Sequence, residues 1–341
     1  MDEAALRVVA LTGGHDVPSA RFRIRQLIPS LLQESIVLRE LCPTVSSYPP
    51  QGTIARILWA PAALLTRLPG ILFSRRADVV VFQRELVSTL VTLEPLAGKP
   101  RILDVDDAIH LRGRGGFTQR LCSYVDHVVC GNAYLANHYS RLVKNVSIVP
   151  TAVNAVRYCP AVGASTRPII GWIGTSANFQ NLAVAGKGIA RALAEIADAR
   201  LRIVADRPPE LPDVPADRVE FIPWSRENEV RLIQEMTVGI MPLLDNEWNR
   251  GKCSYKMLQY MACGVPVVVS PVGMNVEVLS LGDIGVGVSN ADQWTEALLM
   301  YLRDQDLAKV TGERGREIIL KHFSIDVIVP RLAAIWREVA G

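Results

Sequence analysis

The residues best suited to chemistry are Arg250, Lys252 and Lys256, in the stretch NRGKCSYKMLQYMACGVPVVVS over 249–270. Asn249 to Lys252 reads as a basic, glycine-broken loop, Ser254 to Cys263 as a short helix and Val265 to Ser270 as a buried strand. Gly264 stands where a left-handed helix terminator is wanted, and Pro266 follows just after it. At about 100° per residue, Lys252, Lys256, Gln259 and Cys263 share one face, and Met257, Leu258 and Met261 share the opposite one. One side is then expected to pack on a core while the other carries two cations and an amide. The free N–H groups and dipole of a helix start favour anions. Together with Arg250, Lys252 and Lys256 they would make a seat for a diphosphate. A solvated basic helix start has the same pattern.

The elements that must position this stretch are parallel strands. Leu6–Leu11, Ala77–Gln83, Arg101–Val105, Val125–Cys130 and Val146–Pro150 are apolar runs separated by helical segments. The same alternation resumes with Ile169–Ile173, Leu201–Ala205, Val219–Pro223 and Val238–Pro242. Continuous apolar runs suit strands covered on both faces. Between the two sets, Thr151–Pro168 carries Pro160, Gly163, Ser165, Thr166 and Pro168 with little periodicity, as a domain boundary does. The expected architecture is α/β, with two doubly wound Rossmann-like domains, and 341 residues suffice for two cores.

Ligands of such folds bind at strand carboxyl ends. Gly13 and Gly14 close the first strand and allow close backbone approach. Ser19 is a plausible helix cap, and Arg21, Arg23 and Arg25 follow it, suited to an acidic acceptor or to water. Asp104-Val105-Asp106-Asp107-Ala108-Ile109-His110 ends another strand. There Asp104 suits a structural role, whereas Asp106, Asp107 and His110 lie where a ligand or a metal could be bound. Gly171-Trp172-Ile173-Gly174-Thr175 lacks the third glycine of a dinucleotide fingerprint, which argues against a dehydrogenase.

Composition excludes several classes. A net charge of +3 is too small to argue for nucleic acid. Six scattered cysteines without a CxxC pair argue against zinc and a disulfide framework, and for a reducing compartment. The N-terminus runs straight into a strand with no signal-peptide pattern, which points to a cytoplasmic location. No apolar run reaches the roughly 20 residues that span a bilayer. Ile54–Arg76 (IARILWAPAALLTRLPGILFSRR) is unusual, with Arg56, Arg67, Arg75 and Arg76 among bulky apolar residues and with Pro61 and Pro69 as helix breakers. It could lie on a membrane, with Ile57, Leu58, Trp59, Leu64, Leu65 and Phe73 in the acyl boundary. A pair of core-packed helices is the other reading.

The run Leu258-Gln259-Tyr260-Met261-Ala262-Cys263-Gly264-Val265-Pro266-Val267-Val268, then Ser270-Pro271-Val272-Gly273 and Glu277-Val278, resembles the donor-binding signature of GT-B glycosyltransferases of the retaining family 4 type. Where that family usually carries two glutamates, this chain has Gly251 and Gln259. It is similar instead to a subgroup written W-x-R-G-K-x-x-Y-K, matched by Trp248, Arg250, Gly251, Lys252, Tyr255 and Lys256. The resemblance implies an acceptor-side domain over 1–155, a nucleotide-sugar domain over 166–322, and a segment at 323–341 that returns to the first domain, the two domains facing a cleft. It implies donor contacts from the backbone at Gly174 and Thr175, from Trp224 near the base, and from Lys256, Gln259 and Glu277. It also implies an acceptor side that includes Gly13, Gly14, Arg21 and His110.

The expected reaction moves a sugar from a nucleoside-diphosphate sugar to a glycan or lipid-linked acceptor, with retention and without a metal or other cofactor. Arg250 and Lys252 would stabilise the leaving diphosphate, and Asp106 or Asp107 would orient the acceptor hydroxyl. Two rival readings keep the fold. One is a catalytically silent nucleotide-sugar-binding subunit, motivated by the missing glutamates. The other is a nucleotide-sugar epimerase, which should show a more acidic and histidine-rich cleft.

Overall fold

A computed structural model describes residues 5–15, 17–113, 116–161 and 167–341. Residues 162–166 of the expected linker lie outside the described residues. The chain divides into two compact units. Unit 1 holds Met1–Ala152, Gly251–Cys253 and Ile325–Gly341, and unit 2 holds Val153–Arg250 and Ser254–Ser324.

Unit 1 is built on six parallel strands: β1 (Leu6–Leu11), β2 (Ile36–Leu41), β3 (Val79–Gln83), β4 (Arg101–Val105), β5 (His127–Cys130) and β6 (Val146–Ile148). Their order is β2-β1-β3-β4-β5-β6. All five residues of β3, VVVFQ, are buried, which is why the run is apolar without alternation. β2 is the strand that apolar runs did not reveal. As an edge strand it buries Ile36 and Leu38 and exposes Val37 and Arg39, so it alternates. The helix Ile325–Ala340 belongs to this unit and places Ile328, Leu332 and Trp336 in the core with Val8, Leu31, Val79 and Ile102.

Unit 2 repeats the plan with β7 (Ile169–Ile173), β8 (Arg200–Ala205), β9 (Val219–Pro223), β10 (Val238–Met241), β11 (Val267–Val269) and β12 (Gly285–Gly287). The order is β12-β11-β10-β7-β8-β9, all parallel. Its core gathers Ile170, Trp172, Ile189, Leu201, Ile203, Ile240, Trp294 and Leu298.

Two local expectations are corrected. Pro61 does not break its helix, which runs from Thr53 to Leu65. Its neighbours Ala60, Ala62 and Ala63 are strong helix formers that offset one lost hydrogen bond. Ser19 is not a cap: Val17 holds that place, and the Ser19 hydroxyl donates to Gln83 Oε1 at 3.1 Å.

Candidate functional site

Each sheet has one point where neighbouring strands send their connections to opposite sides, and carboxyl ends at such a point form a crevice. In unit 1 it lies between β1 and β3. Gly13 follows β1 and Arg84 follows β3, and both line one small pocket with Ser47, Tyr48, Gln83 and Glu85. Arg84 has φ +63°, a left-handed conformation that a non-glycine residue holds only when its surroundings fix it. Its guanidinium reaches Asp106 at 2.6 Å and Asp107 at 3.5 Å. Burial pushes the Asp106 carboxyl up, but Arg84 outweighs it and holds the group below its ordinary range. Behind this pair, Arg23 clasps Asp104 with bonds of 2.9 and 2.6 Å, both side chains being almost fully buried.

The segment Gly251–Cys253 is part of the same unit. The Asn132 amide donates to the carbonyls of Gly251 (3.1 Å) and Lys252 (3.0 Å), and the Cys253 thiol donates to Asp106 O at 3.1 Å. A Cβ on Gly251 would lie 2.6 Å from that of Ala108, so only glycine lets this segment approach the loop that follows β4. Unit 1 therefore brings together Asp106, Asp107, Gly13 and the backbone of Lys252.

In unit 2 the corresponding point lies between β7 and β10. Gly174 ends β7, and a Cβ there would meet the Trp172 ring at 2.4 Å and Lys256 Cε at 2.9 Å. The Lys256 ammonium stands over the Trp172 ring at 5.4 Å. Ser176, just beyond Thr175, donates through its N–H and hydroxyl to Asp206 at 2.6 and 2.7 Å, which fixes the loop after β7. On the β10 side, Arg250 is exposed and pairs with Asp245 at 2.7 Å. Gly273, at φ +55°, passes so close to the Arg250 backbone that a Cβ would lie 2.6 Å from its carbonyl oxygen.

Residues 167–304 match the family described as Glycosyl transferases group 1. A stretch of 125 residues is 30% identical to N-acetyl-alpha-D-glucosaminyl L-malate synthase of Bacillus anthracis, covering 36% of this chain and 31% of that protein. Sucrose-phosphate synthase from Thermosynechococcus elongatus superposes with a TM-score of 0.71 at 14% identity, over 98% of both chains. HepE of Anabaena, solved with UDP and glucose, superposes at 0.70 and 10% identity over 97% of this chain and 99% of its own. The chain has the GT-B fold. The matched stretch spans about a third of the curated relative's length.

On this GT-B frame several site expectations change. Gln259 does not share an open face with Lys256. It is 3% exposed and donates to the Tyr158 hydroxyl at 2.8 Å and to Glu229 at 3.4 Å. Cys263 is buried as well, so the helix Tyr255–Ala262 packs on more than one side. Glu229 also accepts from Tyr158 at 2.6 Å and from the Trp224 indole at 3.3 Å, so Trp224 is tethered at the end of β9 while the residue stays 43% exposed. Glu277 is exposed in the first turn of Met274–Leu279. In unit 1, His110 is buried and stacked on His138 at 3.8 Å; burial, then His138, lowers its pKa to about 4. It belongs to an aromatic cluster rather than to an acceptor surface. Of the three arginines after β1, Arg23 serves Asp104, Arg25 serves Glu40, and Arg21 lies over the Phe22 ring. Gly14 gives its carbonyl to Arg25.

Reading the sequence missed Arg84, Glu85, Tyr158 and Glu229. The only hint of Arg84 was its place directly after an apolar strand that a parallel sheet had to bury.

Proposed function

We propose that this protein is a glycosyltransferase that moves a sugar from a nucleoside-diphosphate sugar to a hydroxyl of a glycan or lipid-linked acceptor. The observation that carries the reading is the Gly174–Lys256 contact at the strand crossover of unit 2. Bare backbone and a cation stand together there at strand carboxyl ends, inside the stretch that matches the group 1 family, which supports a phosphate-binding role. HepE was solved with UDP and glucose, so a uridine donor is the first to try.

In the proposed reaction the bond between the anomeric carbon and the donor phosphate breaks, and its electron pair stays on the diphosphate. The acceptor oxygen bonds the same carbon on the face that the diphosphate leaves. The acceptor's hydroxyl proton passes to a departing phosphate oxygen. Lys256 and Arg250 supply positive charge for the leaving group, and Lys252, two residues after Arg250, adds to it. No enzymic nucleophile and no metal takes part in this scheme. Asp106 and Asp107 orient the acceptor hydroxyl; Arg84 keeps Asp106 ionised and fixes its direction. All six cysteines are free thiols, which supports a reducing, cytoplasmic setting; the role assigned by this proposal is in polysaccharide or glycoconjugate synthesis.

The test is a panel of nucleoside diphosphates and their sugars, read by thermal stabilisation and then by turnover. Binding to the folded state raises its apparent stability. One base should stabilise the protein, and its sugar nucleotide should be slowly hydrolysed or transferred with the anomeric configuration kept. Binding without turnover would favour a silent binding subunit. An epimeric sugar nucleotide would favour an epimerase, and no stabilisation by any member would discard the reading.

A further inference from the structure

Helices usually turn small and polar residues outward and large apolar ones inward. The helix Thr53–Leu65 does the reverse. At about 100° per residue, Ile54, Ile57, Leu58, Pro61, Leu64 and Leu65 fall on one face. That face is open to solvent: Ile54 is 77% exposed, Ile57 65%, Leu58 70% and Leu65 67%. Ala63, on the opposite side, is the residue this helix buries. The helix Leu68–Ser74 continues the surface with exposed Leu72 while Ile71 and Ser74 are buried. Arg56, Arg75 and Arg76 are exposed around these apolar residues, and no Asp or Glu occurs from Thr53 to Ala77.

We infer that unit 1 docks on an anionic lipid bilayer through this surface. Thr53–Ser74 is, by length and composition, long and apolar enough to cross a membrane, contrary to the expectation from apolar runs. The structure gives it another use. Arg67 is buried and bonds the carbonyls of Ala63 (2.6 Å), Leu86 (3.0 Å) and Val45 (3.2 Å) and the Ser47 hydroxyl (2.9 Å). The Trp59 indole donates to Ser46 O at 3.0 Å, and the Arg39 guanidinium sits 4.3 Å from the Phe73 ring. Arg67, Trp59 and Phe73 therefore fasten the segment to its own unit, and none of the three is a headgroup or acyl contact. What remains outward is a bulky apolar stripe with cations and no carboxylates. A protein partner of ordinary surface needs no such charge bias; an anionic headgroup layer does, and interfacial helices bury an apolar face of this kind at the headgroup–acyl boundary. The inference stands apart from the sugar-transfer reading, because it uses neither strand crossover.

The test is flotation of the full-length protein with vesicles of phosphatidylglycerol and phosphatidylcholine, against vesicles of phosphatidylcholine alone. Each exposed arginine near an anionic surface adds about fivefold to partitioning. Wild type should float with the anionic vesicles and be released by high salt. R56E/R76E should lose roughly 25-fold or more. Ile57→Gln/Leu58→Gln/Leu65→Gln, all at exposed positions, should lose at least about tenfold and keep the wild-type melting temperature. Wild type that stays soluble with anionic vesicles would overturn the inference, as would salt-independent binding to phosphatidylcholine alone. A dimer in solution that the glutamine triple variant dissociates would assign the face to a second copy instead.

Discussion

The two strand crossovers use charge in opposite ways. At the β1/β3 edge of unit 1 the ions are buried and answered within the protein, Arg23 by Asp104 and Arg84 by Asp106 and Asp107. At the β7/β10 edge of unit 2 the charges stand at the surface: Lys256 is half-buried against an indole, and Arg250 and Asp245 are both exposed. Removing one partner of a buried pair leaves an uncompensated charge and costs stability. Removing a surface cation costs little stability and shows instead in whatever anion it holds. The first edge is built to hold geometry, and in the proposed reaction the second meets the charge of the leaving group. A set of substitutions separates these roles.

The largest effect is expected at the buried pair. Arg23→Met leaves Asp104 buried without its partner and should lower unfolding free energy by about 3–5 kcal/mol. Replacing both members, Arg23→Met with Asp104→Leu, should recover most of that loss, since two apolar residues of similar size pack where the ions did. Chemical denaturation of the three proteins measures both numbers. A single variant as stable as wild type would show that the pair is not desolvated as its burial implies.

The next effect is a pH dependence confined to unit 1. His110 takes up its proton at about 4, because burial and then the His138 ring disfavour the charged form. An unfolded histidine protonates near 6.5. Between those values the unfolded chain binds a proton that the folded chain refuses. Stability therefore falls as pH drops from about 6.5 toward 4 and is recovered as pH rises. The difference amounts to roughly 3 kcal/mol by pH 4. His110→Gln should flatten this fall in a series of denaturation midpoints. Parallel pH profiles for wild type and variant would place the titration elsewhere.

How much of this was legible in the sequence depends on where each residue's partners lie. The fold class was plain because Val79–Gln83 and Ile169–Ile173 are buried on both faces and so read as unbroken apolar runs. β2 alternates at an edge and β12 has only three residues, Gly285–Gly287, so neither leaves such a run. Asp106 and Asp107 were visible as carboxylates at a strand end. The arginine that answers them, 22 and 23 positions upstream, was not. Gln259 was misread because helical spacing places it beside Lys256, whereas its burial is set by Tyr158, 101 residues away, and by Glu229, 30 residues away. Residue type and period describe one element, and only packing tells which polar groups are already spoken for.

At the second edge the expected effect moves from stability to binding. Lys256→Met keeps an unbranched chain against Trp172 and Gly174 but removes the ammonium. Nucleoside-diphosphate affinity should weaken by about ten- to a hundredfold, the worth of one charge-assisted contact. Turnover should drop as well, and the melting temperature should stay close to wild type. Isothermal titration supplies the affinity. A variant that unfolds earlier yet binds normally would make Lys256 part of the packing and blur the contrast between the edges.

The smallest effect sharpens the contrast most, because it separates a structural ion pair from a waiting one. Asp245 holds the Arg250 guanidinium at 2.7 Å, and that bond keeps the Asp245 carboxyl below its ordinary range. Both side chains are about half exposed or more, so water screens the pair and its contribution to folding is slight. Asp245→Asn should leave the unfolding transition where it is. If Arg250 meets the donor diphosphate, it must turn from one anion to another, and Asp245 competes with the ligand. Removing that competitor should tighten nucleoside-diphosphate binding by about two- to fivefold at low salt, with the gain fading as salt screens the exchange. A loss of affinity in Asp245→Asn would mean that the carboxylate aims the guanidinium rather than occupying it. An affinity unchanged at every salt concentration would take Arg250 out of the donor site and leave Lys256 to hold the diphosphate in unit 2.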